Sequence, residues 1–181
     1  MLFRSPATAP LARATNSPPR APRYDIYGGI HKALRQFMCQ TLARLGTMDP
    51  ENEDERRAAL QGVRDLLGQM RAHLAHENDF VHTAIEARRP GGARHTADDH
   101  LLHLDALHSL EHETDAVAEA KGAQLQALSG RLYRHLAEFV GENLVHMQIE
   151  ETQNNAALWE LYSDEELMAV HDRIKIGRAH V

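Results

Sequence analysis

The chain has 181 residues, 43% of them hydrophobic, 25% charged and only 5% aromatic, enough for one domain with a proper core and too few for two ordinary ones. Twenty Lys plus Arg against 26 Asp plus Glu leave a formal net charge of −6, which argues against a nucleic-acid partner held through its phosphates, and no apolar run approaches the roughly 20 residues that span a bilayer. The single cysteine, Cys39, excludes an internal disulfide, so the composition reads as a soluble, cytoplasmic protein with no membrane partner, distinguished by thirteen histidines.

Residues 1–23 hold five of the seven prolines, with Arg4, Arg13, Arg20 and Arg23 and no acid before Asp25, and read as an irregular basic arm. The prolines interrupt any amphipathic helix there, and a secretory apolar core is missing, so the arm is not read as a targeting segment. From Tyr24 the apolar positions Tyr27, Ile30, Leu34, Phe37, Met38, Leu42 and Leu45 recur at helical spacing until Gly46 and Asp49-Pro50. A second helix is predicted over about 54–88, ended by Arg89-Pro90-Gly91-Gly92. Thr96-Ala97-Asp98-Asp99 reads as an N-cap and acidic first turn for a third, which runs to about Lys121-Gly122. The fourth spans about 124–158, with a kink or break expected near Ser129-Gly130. Ser163-Asp164-Glu165-Glu166 reads as a capping box opening a short fifth helix to about Lys175. Long amphipathic helices with short connections predict an all-α protein, an antiparallel up-down four-helix bundle over 24–158 followed by a C-terminal helix and tail over 159–181.

Several histidines fall on the apolar stripes. His31 shares a face with Tyr27, Leu34 and Met38; His73 and Glu77 lie four apart on the stripe of Met70 and Val81; His146 and Glu150 repeat that spacing on the stripe of Leu136, Phe139 and Asn143. Unpaired buried ions cost several kcal/mol each, and a metal ion removes that cost. Imidazole with carboxylate suits Fe, Mn or Zn, and HxxxE pairs on facing helices can furnish a two-metal site. Residue 52, midway between His31 and His73, falls in the first turn, which sets the two at one level of an antiparallel pair. The third helix offers His100, His103, His108 and His112. His103 is chosen because it shares an apolar face with Leu107 and Leu110, with His100 as the alternate; His108 gives a level almost as good but lies, with His112, on a face carrying Asp105, Ser109 and Asp115.

His31, the segment His73-Leu74-Ala75-His76-Glu77 and the segment His146-Met147-Gln148-Ile149-Glu150-Glu151 resemble the hemerythrin-like, HHE cation-binding domains over about residues 24–158. The resemblance implies a four-helix bundle with a carboxylate-bridged pair of non-haem irons, Zn or Mn being the other candidates, held by His31, His73, Glu77, His103, His146 and Glu150. Glu151 stands where the family's fourth-helix Asp can stand, leaving two candidates for the bridging carboxylate. The implied function is to bind or sense O2, NO or redox state; a di-iron enzyme acting on O2, peroxide or NO and a metal-free or Zn-bound interaction module are the alternatives. His76 is read as at most a hydrogen-bonding neighbour of the site. His82, His95, His108, His112, His135, His171 and His180 are read as surface or packing residues, and Met38, Met70 and Met147 as core filling.

Overall fold

The computed structural model describes residues 22–178, with side chains through residue 173; the arm read over 1–23 therefore lies outside the described residues except for its last two, as does His180. Among the described residues there are seven α-helices and no strand: α1 (Gly28–Thr47), α2 (Glu53–His76), α3 (Thr83–Arg88), α4 (Arg94–Glu119), α5 (Gly122–Ile149), α6 (Asn155–Leu161) and α7 (Asp164–Arg178). The long helices touch in a ring: α1 packs on α2 and α5, α2 on α4, and α4 on α5.

Local chemistry sets the ends of these helices. The Asp25 carboxylate accepts from the Tyr27 and Gly28 amides, satisfying donors that α1 leaves open. Asn52 caps α2 by accepting from the Asp54 and Glu55 amides. The box read at Ser163 forms in both directions, Glu166 N donating to Ser163 Oγ and Ser163 N to the Glu166 carboxylate. The cap read at Thr96 does not form. Helix α4 starts earlier, at Arg94, and Thr96 is buried with its hydroxyl turned back onto the Ala93 carbonyl, because a buried polar network recruits it.

The break expected near Ser129-Gly130 is also absent, since α5 runs unbroken to Ile149 and Ser129 is buried within it. The irregularities lie elsewhere. Residues Glu77–His82 and Glu150–Asn154 form π-helical turns, so the second and fourth helical stretches each continue through a widened turn into α3 and α6. Each π turn begins at the glutamate of an HxxxE pair.

Two hydrophobic clusters bracket these turns. The larger includes Leu34 and Met38, Met70 and Leu74, Leu107 and Leu110, and Phe139 and Met147. The smaller comprises Ile26, Tyr27, Val81, Ala84, Ile85, Ala93, Leu158, Leu167 and Val170. Arg23 ties the second cluster's edge together, donating to Asp164 at 2.7 Å and to the carbonyls of Trp159 and Tyr162 at 2.9 and 2.8 Å. His31 and His100 fall between the clusters along their own helices, and Glu77 and Glu150, each one turn past its histidine, fall between Leu74 and Val81 and between Met147 and Leu158, so a buried polar layer lies where the two clusters meet.

Candidate metal centre

Six side chains meet in that layer, from all four long helices and both π turns. Their ligand-type atoms form two overlapping groups, His31, His73, Glu77 and Glu150 in the first and Glu77, His100, His146 and Glu150 in the second, all six residues buried. Both glutamates belong to both groups. Glu77 Oε1 faces His31 Nε2 at 3.3 Å and His73 Nε2 at 3.2 Å, while its Oε2 faces His100 Nε2 at 3.5 Å. Glu150 Oε2 lies 3.5 Å from His31 Nε2 and 3.4 Å from His146 Nε2, and its Oε1 lies 3.7 Å from His100 Nε2. His100 and His146 bring their Nε2 atoms to 3.0 Å.

These separations fit a metal ion. Donor atoms bound about 2.1 Å from one ion stand roughly 3.0 Å apart at right angles and roughly 3.4 Å apart at tetrahedral angles. The atoms also need a cation. Glu77 Oε2 and both Glu150 oxygens are buried with no hydrogen-bond partner, and an unpaired buried carboxylate costs several kcal/mol.

The outer nitrogens fix the inner ones. His31 Nδ1 pairs with Glu151 Oε1 at 3.1 Å, His146 Nδ1 with Asp99 Oδ2 at 3.1 Å, and His100 Nδ1 with Asn78 Oδ1 at 2.8 Å. Ionised carboxylates only accept, so Nδ1 carries the proton in His31 and His146 and the Nε2 lone pair points inward, the tautomer a metal ligand requires. Arg35 in turn grips Glu151 with both terminal nitrogens. Glu150 is therefore the inner carboxylate and Glu151 the outer one, which orients His31.

Of the residues expected from the sequence, His31, His73, Glu77, His146 and Glu150 are brought together and His103 is not. His100, the alternate, supplies the α4 atom. His103 is buried one turn further along, its ring edge-on to those of His146, with centroids 4.8 Å apart, and Phe139, at 6.2 Å. His108 and His112 form an exposed pair on the outer face of α4. Asn143 turns its amide back onto the Phe139 carbonyl at 2.8 Å, an ordinary helix-core bond. Tyr133 is exposed, and Met38, Met70 and Met147 fill the core.

His82 was read as a surface or packing residue and is instead buried beside the site, stacked on the His100 ring with centroids 4.7 Å apart. Its Nε2 meets Thr96 Oγ1 at 3.1 Å. Asn154 Nδ2 donates at 3.2 Å both to Thr96 Oγ1 and to the buried Tyr27 hydroxyl, whose ring lies 4.9 Å from that of His31. This polar floor depends on the π turns. One extra residue in a turn shifts the helix phase by about 100°, carrying His82 inward although simple periodicity turns it out, while Asn154 follows Glu150 by four residues on the inner stripe.

The metal-free site is electrostatically divided. Burial pushes His73 down to about 3 and His82 and His103 to about 4, and lowers His31, so these rings are neutral at pH 7. Burial, reinforced by Glu150, raises Glu77 well above the carboxylate range. Burial pushes Glu150 the same way, but the nearby imidazoles of His100 and His146 outweigh it and hold Glu150 below that range. On His146 burial is likewise outweighed, here by Glu150 and Asp99, and the ring sits above its ordinary value.

A pH prediction follows for protein stripped of metal. Unfolded histidines titrate near 6.5, so between about 6.5 and 4 the unfolded chain binds protons at His73, His82 and His103 that the folded chain refuses, and His31, also lowered, acts in the same sense. Their contribution is fully present above about 6.5 and is lost on acidification through that window. Glu77, with its raised value, acts in the opposite sense and offsets one of the four. Melting curves of chelator-treated protein should show Tm falling continuously from pH 6.5 to 4; a flat profile would mean that these rings are not buried neutral.

No protein-family model matches this chain, and no curated protein matches it.

Proposed function

We propose that this chain is a hemerythrin-like protein, an antiparallel up-down four-helix bundle that holds two non-haem iron ions between its helices and uses them to bind or sense O2, NO or redox state. The observation that carries this reading is the sharing of Glu77 and Glu150 by both ligand groups, each completed by two imidazoles. Two carboxylates reaching two groups of donors are what a bridged metal pair needs. Ion pairs support the helix directions: from Arg64 to Arg71 along α2 the partner retreats from Asp115 to Glu111 on α4, and from Arg131 to His146 along α5 it retreats from Glu113 to Asp99. Gly46 against the Tyr133 ring and His31 against Glu150 give α1 and α5 the same opposed sense.

When bound, an iron pair supplies reversible one-electron chemistry and open positions for a small exogenous ligand. The protein's part is positioning. Glu151, Asp99 and Asn78 hold three imidazoles with Nε2 inward, and the two hydrophobic clusters exclude bulk water. A groove of about 310 Å³, walled by Ile26, Tyr27, Ile30, Ala33 and Val81, reaches His73 and Glu77 and suits an uncharged diatomic molecule. No helix among the described residues is long and apolar enough to cross a membrane.

A second reading, a di-iron enzyme acting on O2, peroxide or NO, is favoured by one feature: two imidazoles and two shared carboxylates per group leave more of each ion's positions open than a histidine-saturated carrier does. Turnover assays with peroxide and NO separate the two readings. The primary test is elemental analysis with absorption spectroscopy. Iron-grown protein should carry about two metal ions per chain and a near-ultraviolet charge-transfer band that responds to O2 or NO. Less than about one ion per chain, unaffected by His73→Ala, would remove the metal from the function and leave a helical interaction module.

A further inference from the structure

Six buried ligands pose a question of access. Glu150 and His31 are 0% exposed and Glu77 is 3% exposed, and a dication cannot cross an apolar helix interface without a large desolvation cost. It must exchange its waters stepwise for protein oxygen and nitrogen atoms. Two grooves approach the site, and they differ in chemistry. The one reaching His73 carries the imidazoles of His76 and His171 but no carboxylate other than Glu77 itself. The other, of about 730 Å³ between α4 and α5, carries Asp99, Glu138 and Glu142 with the imidazoles of His95, His103 and His135, has no Lys or Arg in its lining, and ends at His146.

We infer that the α4–α5 groove is the loading route for a divalent metal ion and that His103 is the transfer ligand that passes it to His146. This rests on the metal-binding reading above. The donors are graded: Glu138 and Glu142 are exposed at the rim, Asp99 and His135 are half-buried, and His103 is only 4% exposed. His103 Nδ1 is buried with no hydrogen-bond partner, an arrangement that costs stability in a packing residue and is explained in a residue that receives an ion in transit. Its ring stands edge-on to that of His146, the outermost ligand of the second group. A negative rim without countercharges concentrates cations at the mouth. Three residue types that bind hard and borderline cations, Asp, Glu and His, thus lie along one path, while the opposite groove has no acidic mouth.

The test is the rate of Co2+ uptake by chelator-stripped full-length protein, followed by visible absorption after rapid mixing. His103→Leu, and separately Glu138→Gln with Glu142→Gln, should slow uptake by about tenfold or more while the final occupancy and spectrum match the wild type, and high salt should erase the effect of the rim pair. Asp65→Asn with Glu119→Gln, equally exposed acids outside the groove, should leave the rate unchanged. The rim pair is at the surface, so its result does not depend on His103→Leu keeping its fold. Wild-type rates in both groove variants, with full final occupancy, overturn the route but not the metal site. A lower final occupancy in His103→Leu at an unchanged rate overturns it too, by making His103 a resident ligand. A wild-type chain that takes up no Co2+ at equilibrium overturns the metal reading and the route with it.

Discussion

Stripping the metal with a chelator should lower Tm by about 15 °C or more relative to the replete protein. An ion present at about 1,000 times its dissociation constant stabilises the folded state by roughly 4 kcal/mol per site, and in a domain of this size each kcal/mol moves Tm by about 2–4 °C. Two sites place the total near 8 kcal/mol. The effect is large because of where the ligands lie: one ion pair would join α1, α2, α4 and α5 at a level where the apolar core is interrupted. Without it the three orphaned carboxylate oxygens of Glu77 and Glu150 have no cation to meet. Hydrogen exchange should then rise first in the π turns Glu77–His82 and Glu150–Asn154, whose widened hydrogen-bonding rings are the weakest part of each long helix. A Tm that moves by less than about 2 °C on chelation, with exchange unchanged at these turns, would show that the polar layer is self-sufficient.

The parts of this site legible in the sequence are those that depend on helical phase alone. His31, His73/Glu77 and His146/Glu150 lie on stripes dense in Leu, Met and Phe, and a 3.6-residue period carries them inward without further information. Phase could not separate His100 from His103, three residues apart on one face and both buried; what separates them is height along the bundle, set by Asn78 reaching the His100 Nδ1. Asn78 directly follows Glu77, and it was the available clue. The π turns left no mark in composition, so the inward turn of His82 was hidden, as was the role of Thr96, whose spacing before two aspartates imitates a cap. Glu150 and Glu151 were indistinguishable as adjacent acids until Arg35 and the His31 Nδ1 were seen to hold the second one on the outside. The end signals at Asn52 and Ser163 are local hydrogen-bond chemistry and were readable from a few residues.

Replacing Glu150 by leucine should remove metal binding and weaken the metal-free fold as well. Glu150 belongs to both ligand groups, so Glu150→Leu should abolish binding of both ions, whereas His73→Ala and His146→Ala each touch one group and should each leave about one ion bound. In metal-free protein the same Glu150→Leu change should lower stability by about 3–5 kcal/mol, measured by denaturant unfolding, because it removes one partner of a buried pair. Glu150 lies against the imidazole of His146 and holds that ring above its ordinary value, and the imidazoles of His100 and His146 outweigh the burial of the carboxylate. A gain in stability of more than about 1 kcal/mol would mean instead that desolvation dominates and that the carboxylate is kept for the cation alone.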